Sequence, residues 1–464
     1  MSSEKQYIEL YEECRDMICS HAAPAMNALR DQAFDDFRRQ GFPSRKVERY
    51  KYTDLQRLFE PDFGLNLNRF HIPVDPYKAF RCDVPNLSTS LYFMVNDAFY
   101  HREPRTSDLY GQGPLPEGVI VGSMKEHAQL LEPYYGQLAK TADDGVTALN
   151  TMLAQDGLLV YVPKGVVVDR ALQVINILKA PSRLPSAKSS DGNPAEGAFM
   201  VNRRVLIVVE DGAQAKILFC DHTADDCHFL ATQVIEAYVG ADASLDLYCL
   251  EETHHKNVRV SNVYIDQQAN SRVNHNVITL HNGITRNKLD LTLSGEGAEC
   301  ECNGCVVADK HQHVDNNTLI THRVPHCTSN ELYKYVLDDH AVGAFAGRVL
   351  VEHGAQKTVS QMTNQNLTAT PDARMFTQPM LEIYADDVKC AHGSTVGQLN
   401  DAALFYMRQR GLPLQEARIL LQNAFINEVI DKMQLEPLRL RLHYLVEKRF
   451  RGELSKCEGC RLCH

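Results

Sequence analysis

The chain has 464 residues, enough for two or three domains, or for one elongated domain with appendages, and for a substantial buried core. Acidic residues outnumber basic ones 59 to 48, a formal charge of −11, which does not suit a general surface for nucleic acid or anionic membrane. No stretch approaches about 18 consecutive apolar residues, and "MSSEKQYIELYEECRDMICS" lacks a basic start followed by an apolar run, so neither membrane insertion nor export is signalled and a cytoplasmic location is expected.

In that compartment the 14 cysteines are expected as reduced thiols, mostly small buried side chains such as Cys220 and Cys249, with no disulfide framework. The first segment, residues 1–155, is expected to be helical and then mixed α/β. Tyr7, Leu10, Tyr11, Cys14 and Ile18 fall three or four apart, and Met26, Leu29 and Phe34 continue a second helical stripe. Beyond residue 60 short apolar runs such as "SLYFMVNDAFY" and "EGVIVGSM" are broken by Pro- and Gly-rich turns.

Residues 156–398 differ. Apolar stretches there are short, β-branched and alternating, as in "GLLVYVPKGVVV" and "VRVSNVYIDQQANSRVNHNVITL", which predicts strand after strand with little room for helix. A weak repeat joins Ala213, Ala241, Ala269 and Ala298, each 28 or 29 residues from the next, with later copies at Ala341 and Ala355. A recurring strand-and-turn unit is the signature of a solenoid, in which each unit buries its apolar face on its neighbours. The pattern therefore favours a β-helix over a β-sandwich.

The period changes again over residues 399–450. "GLPLQEARILLQNAFINEVIDKM" predicts a helix opening at Pro413, with Gln415 and Glu416 early, then an apolar stripe of Ala417, Leu420, Leu421, Ala424, Phe425, Val429, Ile430 and Met433. That stripe suits either a cap on the solenoid or a docking face for another protein.

Catalytic motifs are absent: there is no phosphate-binding Gly-x4-Gly-Lys-Ser/Thr, no dinucleotide fingerprint after a strand, no His-Glu-x-x-His and no Gly-x-Ser-x-Gly. Period two places His311, His313 and Asp315 on one face, as a polar row or a metal face, and likewise Cys300 and Cys302 of "CECNGC", where buried packing is the default. "THRVPHC" and "EETHHKN" hold further histidines without a clear ligand pattern.

The densest stretch is "LEIYADDVKCAHGSTVGQLNDAALFYMRQRGLPLQEA", residues 381–417. Asp386 and Asp387 end one strand, most simply as turn hydrogen-bonders. Cys390 and His392 follow two apart on one face, a thiol and an imidazole that suit iron or zinc, and Gly393 and Gly397 permit tight turning. Here the chain resembles the SufB/SufD family of the SUF iron–sulfur cluster assembly machinery. "ADDVKCAHGSTVGQL", "ALFYMRQRGL", "HVDNNTLITHRVPHCTSNELYKYVLDD", "FAGRVLVEHGAQKTVSQMTNQNL" and, more faintly, "KVERYKYTDLQRL" carry the likeness in order over most of the chain. "KCAHG" favours the SufD branch, with a SufB-type paralogue as the alternative.

The resemblance implies a mainly β protein, a right-handed parallel β-helix core flanked by an N-terminal helical or α+β region and C-terminal helices. It implies a non-catalytic scaffold that pairs with SufB through the β-helices, or with itself in SufB's absence, and binds the ATPase SufC through the helix of Pro413, Glu416, Ala417, Leu420, Leu421, Ala424 and Phe425. ATP would be hydrolysed by SufC, with no nucleotide bound by this chain, and a nascent iron–sulfur cluster would be shared with SufB at His392, with Cys390 beside it. Outside the family, an exported carbohydrate-active β-helix lacks its signal, and an independent metal-dependent oxidoreductase would rest on the tail.

That tail, residues 451–464, ends in "CEGCRLCH". Its last five residues fit haem attachment, which the cytoplasmic expectation disfavours, and the whole run fits a cluster or metal loop of Cys457, Cys460, Cys463 and His464. The family resemblance assigns it no role. Transient binding of iron or a cluster and simple scavenging of zinc both remain open on the sequence.

Overall fold

In the computed structural model, described for residues 3–69, 76, 89–101, 114–180, 198–224 and 227–453, the middle of the chain coils into a β-solenoid. Its strands alternate between two parallel stacks that, with an antiparallel pair at the first end of each, make one sheet of ten strands and one of nine among the described residues. Strands His228–Val239, Val258–Gln267, Ile284–Leu293, His313–His322, Val342–Val351 and Arg374–Ile383 are consecutive in the nine-stranded sheet. Strands Ser244–Glu252, Arg272–His281, Glu299–Ala308, Thr328–Leu337, Val359–Thr368 and Lys389–Gly397 are consecutive in the other. Inward side chains of both sheets, among them Val263, Leu289, Val306, Tyr333, Phe345 and Met362, form one continuous core.

The repeat has a backbone cause. Two residues before strand Gln214–Thr223 and before the next five strands of the second stack, as far as Val359–Thr368, Gly212, Asp242, Asn270, Gly297, His326 and Lys357 all take positive φ, between 55° and 75°. A small buried residue follows each, namely Ala213, Ala243, Ser271, Ala298, Cys327 and Thr358. The left-handed residue turns the chain through the corner and the small one lets successive corners stack. Gly, Asp and Asn accept that conformation readily; His and Lys do so at a cost. The alanine spacing in the sequence registers these corners, although two of its members, Ala241 and Ala269, stand beside the left-handed residue and not in the buried position.

Each outer face of the solenoid has its own cover. Helices Ser3–Ser20, Arg30–Gln40 and Gly145–Leu153 bury Tyr7, Tyr11, Phe37, Leu149 and Met152, together with Phe59, against Met200, Leu230, Val258 and Val260 of the nine-stranded sheet. Asp144 caps the third of these helices through the Val146 and Thr147 amides, both at 3.0 Å, and is ion-paired to Lys288 at 3.1 Å. Helices Leu414–Ile430 and Glu436–Phe450 pack Ile426, Val429, Ile430, Leu438 and Leu442 on Tyr248, Ile278, Val307, Leu332 and Leu367 of the ten-stranded sheet. Among the described residues no helix is long and apolar enough to cross a membrane.

Candidate functional site

The last turn of the solenoid is open along its edge, although on its outer face Tyr52 stacks on Phe376, 4.9 Å between centroids, and Gln378 Nε2 donates to Glu48 Oε1 at 2.7 Å. Strands Arg374–Ile383 and Lys389–Gly397 are terminal in their sheets, so each leaves one row of main-chain donors and acceptors unpaired. A Cβ added at Gly393 or Gly397 would meet nothing within 4 Å, while Phe376, Ile383, Tyr384 and Val396 are exposed.

Cys390 and His392 occupy this last strand, two apart on its inward face, as the strand period requires. In register beneath them, Cys390 lies against Ser360, His392 against Met362 and Ser394 against Asn364. Cys390 is half-buried and burial pushes its thiol pKa up, opposed by the Ser360 backbone, while His392 is exposed at the rim. Met362 is fully buried and floors the mouth beneath His392.

Hydrogen bonds brace this end. Thr377 Oγ1 donates to Asn364 Oδ1 at 2.8 Å and lies 2.6 Å from Ser394 Oγ, tying the last strands of the two sheets together. Ser360 Oγ meets Ser329 Oγ at 2.8 Å, which meets His322 Nε2 at 2.8 Å, a polar row running inward from Cys390. Asp386 and Asp387 lie exposed in the preceding turn, and Asp387 is ion-paired with Lys357, in keeping with a turn role. Sequence reasoning missed Met362, Thr377 and Asn364, because only the register of adjacent turns brings them to Cys390 and His392.

The other polar rows are structural. His313 and Asp315 face the N-terminal region, where Thr53 Oγ1 donates to Asp315 at 2.6 Å and lies 3.2 Å from His313 Nε2, and Arg286 donates to Asp315 at 2.5 Å. His311 is apart from them, in the turn before the strand. Cys300 and Cys302 are buried inside the solenoid. Among the described residues no three His, Cys, Asp or Glu side chains are grouped to hold a metal ion. Cys457, Cys460, Cys463 and His464 lie outside the described residues.

The helix foreseen at Pro413 runs from Leu414 to Ile430 with Pro413 as its N-cap. Its apolar stripe divides. Ala417, Val429 and Ile430 are buried, together with Ile419, Gln422 and Ile426, while Leu420 and Ala424 are exposed and Leu421 and Phe425 half-buried. Glu416, near its start, is clasped by Arg451 through two hydrogen bonds of 2.9 Å. Helix Asp401–Gln409 adds Phe405 and Tyr406, 64 % and 59 % exposed, to the apolar surface at this end.

Fold and site together define a class: a helix-flanked parallel β-solenoid that presents a thiol and an imidazole at an open end. Residues 191–425 match the family model for "SUF system FeS cluster assembly, SufBD core domain", and residues 1–174 match the "SufBD protein N-terminal region". The chain belongs to the SufBD family. It is similar to an iron–sulfur cluster assembly SufBD family protein of Synechocystis, 29% identical over 432 residues, 90% of this chain and 87% of the relative. It is also similar to the iron–sulfur cluster assembly protein SufD of Escherichia coli, 35% identical over 173 residues, 37% of this chain and 41% of that protein. The SufD of Bacillus subtilis is 23% identical over 465 residues, 97% and 98% of the two chains.

Proposed function

We propose that the chain is a SufD-type scaffold subunit of a SUF assembly complex, pairing through the open end of its solenoid with SufB and through its C-terminal helices with the ATPase SufC. The observation that carries this reading is the open-edged last turn bearing Cys390 and His392. Two donors are half of a tetrahedral shell, and a paralogous solenoid docked on the same edge would supply the rest. The nascent iron–sulfur cluster is then a shared substrate of the two chains, built at the interface and passed on.

In this reading the scaffold performs no turnover of its own. His392 offers a ring nitrogen at the rim, Cys390 a thiolate once its proton leaves, and Met362 a dry floor that keeps water from beneath the bound ions. SufC docks on the surface formed by Phe405, Tyr406, Leu414 and Leu420, hydrolyses ATP there, and its movement is transmitted through the helices packed on the ten-stranded sheet.

Co-purification of the tagged chain from its native cell, followed by anaerobic iron and sulfide analysis, tests the proposal. SufB and SufC are expected to accompany the chain, and His392→Ala is expected to leave that complex intact but with little iron and sulfide. Isolation of the chain without a paralogue or an ATPase contradicts the scaffold role; an intact, fully loaded His392→Ala complex contradicts the site.

A further inference from the structure

Between the two sheets, in the middle turns of the solenoid, lies a polar chamber. Arg259, Ser261, Asn287, Asn316 and Thr318 line it from the nine-stranded sheet and His275 faces them from the ten-stranded sheet. About 10 Å³ of it is open to the centre of a water-sized molecule, and every residue that lines it is buried. That volume admits one or two waters and nothing much larger.

Four of the polar side chains are satisfied by the protein. Arg259 is ion-paired through Nε with Asp221 at 2.9 Å, and its Nη1 donates to Asn287 Oδ1 at 2.6 Å. Asn287 Nδ2 donates to Asn316 Oδ1 at 2.9 Å, Asn316 Nδ2 to the Tyr335 hydroxyl at 2.6 Å, and Gln233 Nε2 to Ser261 Oγ at 3.2 Å. His275 and Thr318 are different: both ring nitrogens of His275 and Thr318 Oγ1 are buried without a hydrogen-bond partner among the described residues. Burial lowers the His275 pKa to about 4, so the ring is neutral and carries one N–H and one lone pair. A metal ion would satisfy only the lone pair, and an anion only the N–H, with the Arg259 charge already matched by Asp221. A neutral molecule that both donates and accepts suits all three groups, and the volume limits it to the size of water.

Toward the open turn the interior closes. From His275 the register runs through Cys302, Glu331 and Met362 to His392, four turns and about 19 Å along the stack. Tyr333 and Phe345, 4.8 Å between ring centroids, and Met362 are all buried on the way. A Cβ added at Gly347 would come within 2.7 Å of Met362 Sδ and 2.8 Å of Phe345 Cζ, so this stretch is filled.

We propose that the chamber binds ordered water, one or two molecules, which hydrogen-bond His275 on one sheet and Thr318 on the other and clip the two sheets together across the interior. A bridge of this kind is nearly as good as a direct hydrogen bond. The site stands apart from Cys390 and His392, sealed from them by Tyr333, Phe345 and Met362, and does not depend on the assembly role.

Crystals of the full chain, native and under xenon pressure, test the proposal. Density for ordered water is expected about 3 Å from a His275 ring nitrogen and from Thr318 Oγ1, with no xenon in the chamber, because xenon enters dry apolar cavities. In solution, deuteron relaxation dispersion counts long-lived waters. His275→Phe, which removes both ring nitrogens, is expected to lose one or two of them relative to the wild type. Thr318→Val keeps the shape without the hydroxyl and is expected to speed exchange about three- to tenfold, the loss of one hydrogen bond. His392→Ala is expected to change neither count nor exchange, and circular dichroism verifies that each variant is folded. A native chamber without water density, xenon bound in it, or wild-type count and exchange in Thr318→Val would each overturn the proposal.

Discussion

Glu331 is buried in the solenoid interior, in register between Cys302 and Met362. Burial, with no hydrogen-bond partner for either carboxylate oxygen, pushes its carboxyl up to about 7. A carboxyl raised in the folded state favours folding while protonated, so its contribution is complete below about 4.5 and is lost as the pH rises through about 7. Glu331→Gln, which keeps the shape and removes the titration, is therefore expected to match the wild type in acid and to exceed it in stability above neutrality, by up to about 3 kcal/mol. Urea melts across the pH range check this; parallel curves would show that Glu331 is solvated. Asp144 has the opposite sign. Burial alone would raise it, but Lys288, Tyr50 and the Thr147 amide hold it at about 2, so its stabilisation is present above about 3.8 and lost as the pH falls through about 2. Lys288→Met leaves that carboxylate buried without its cation and is expected to cost about 3–5 kcal/mol near neutrality, with a smaller deficit in acid. At this scale the sequence was most legible where chemistry and period coincide: Cys390 and His392 share a face because any strand puts alternate residues together. Met362, Thr377 and Asn364 were illegible because the register between turns depends on corner lengths that differ from one turn to the next.

At the scale of elements, the corners decide the solenoid. His326 takes φ of 61° with only a long contact of 3.9 Å to Glu296, so its side chain returns little for the strained backbone. His326→Gly is expected to stabilise by up to about 1 kcal/mol, and His326→Val to destabilise by more than that, because a β-branched residue resists the left-handed region. Gly297 lies at the equivalent corner with φ of 75°, and an added Cβ would come within 2.7 Å of Asn270 Oδ1, so Gly297→Ala is expected to lower the melting temperature. The alternating strands and the alanine spacing made the solenoid legible, since both follow from burying one face per strand at a fixed repeat. The helix Leu414–Ile430 was legible as a helix but not in its orientation. Apolar residues lie on more than one side of it, so the stripe chosen from spacing mixes Ala417, Val429 and Ile430, which face the sheet, with Leu420 and Ala424, which face solvent.

At the scale of the molecule, the decisive asymmetry is that both broad faces of the solenoid are covered and the edge of its last turn is not. N-terminal helices bury one sheet and C-terminal helices the other, yet Arg374–Ile383 and Lys389–Gly397 keep free edges beside exposed Phe376, Ile383, Tyr384 and Val396. An edge of this kind is a template for another strand, and natural proteins leave one open only where a partner closes it or charge protects it. The last strand carries one charged residue, Lys389, at its start. Val396→Lys places a cation on the exposed strand without disturbing the core, because Val396 is 50 % exposed. If this edge pairs with a second solenoid, Val396→Lys is expected to lower the complex fraction in light-scattering chromatography by at least about tenfold while the melting temperature of the isolated chain stays within about 2 °C. A control at an exposed apolar residue in the first turns of the stack, Val167→Lys (45 % exposed), is expected to leave association unchanged. Equal association of the two variants would mean that the open turn is not the pairing surface, and that the helices carrying Phe405 and Tyr406 hold the assembly together alone.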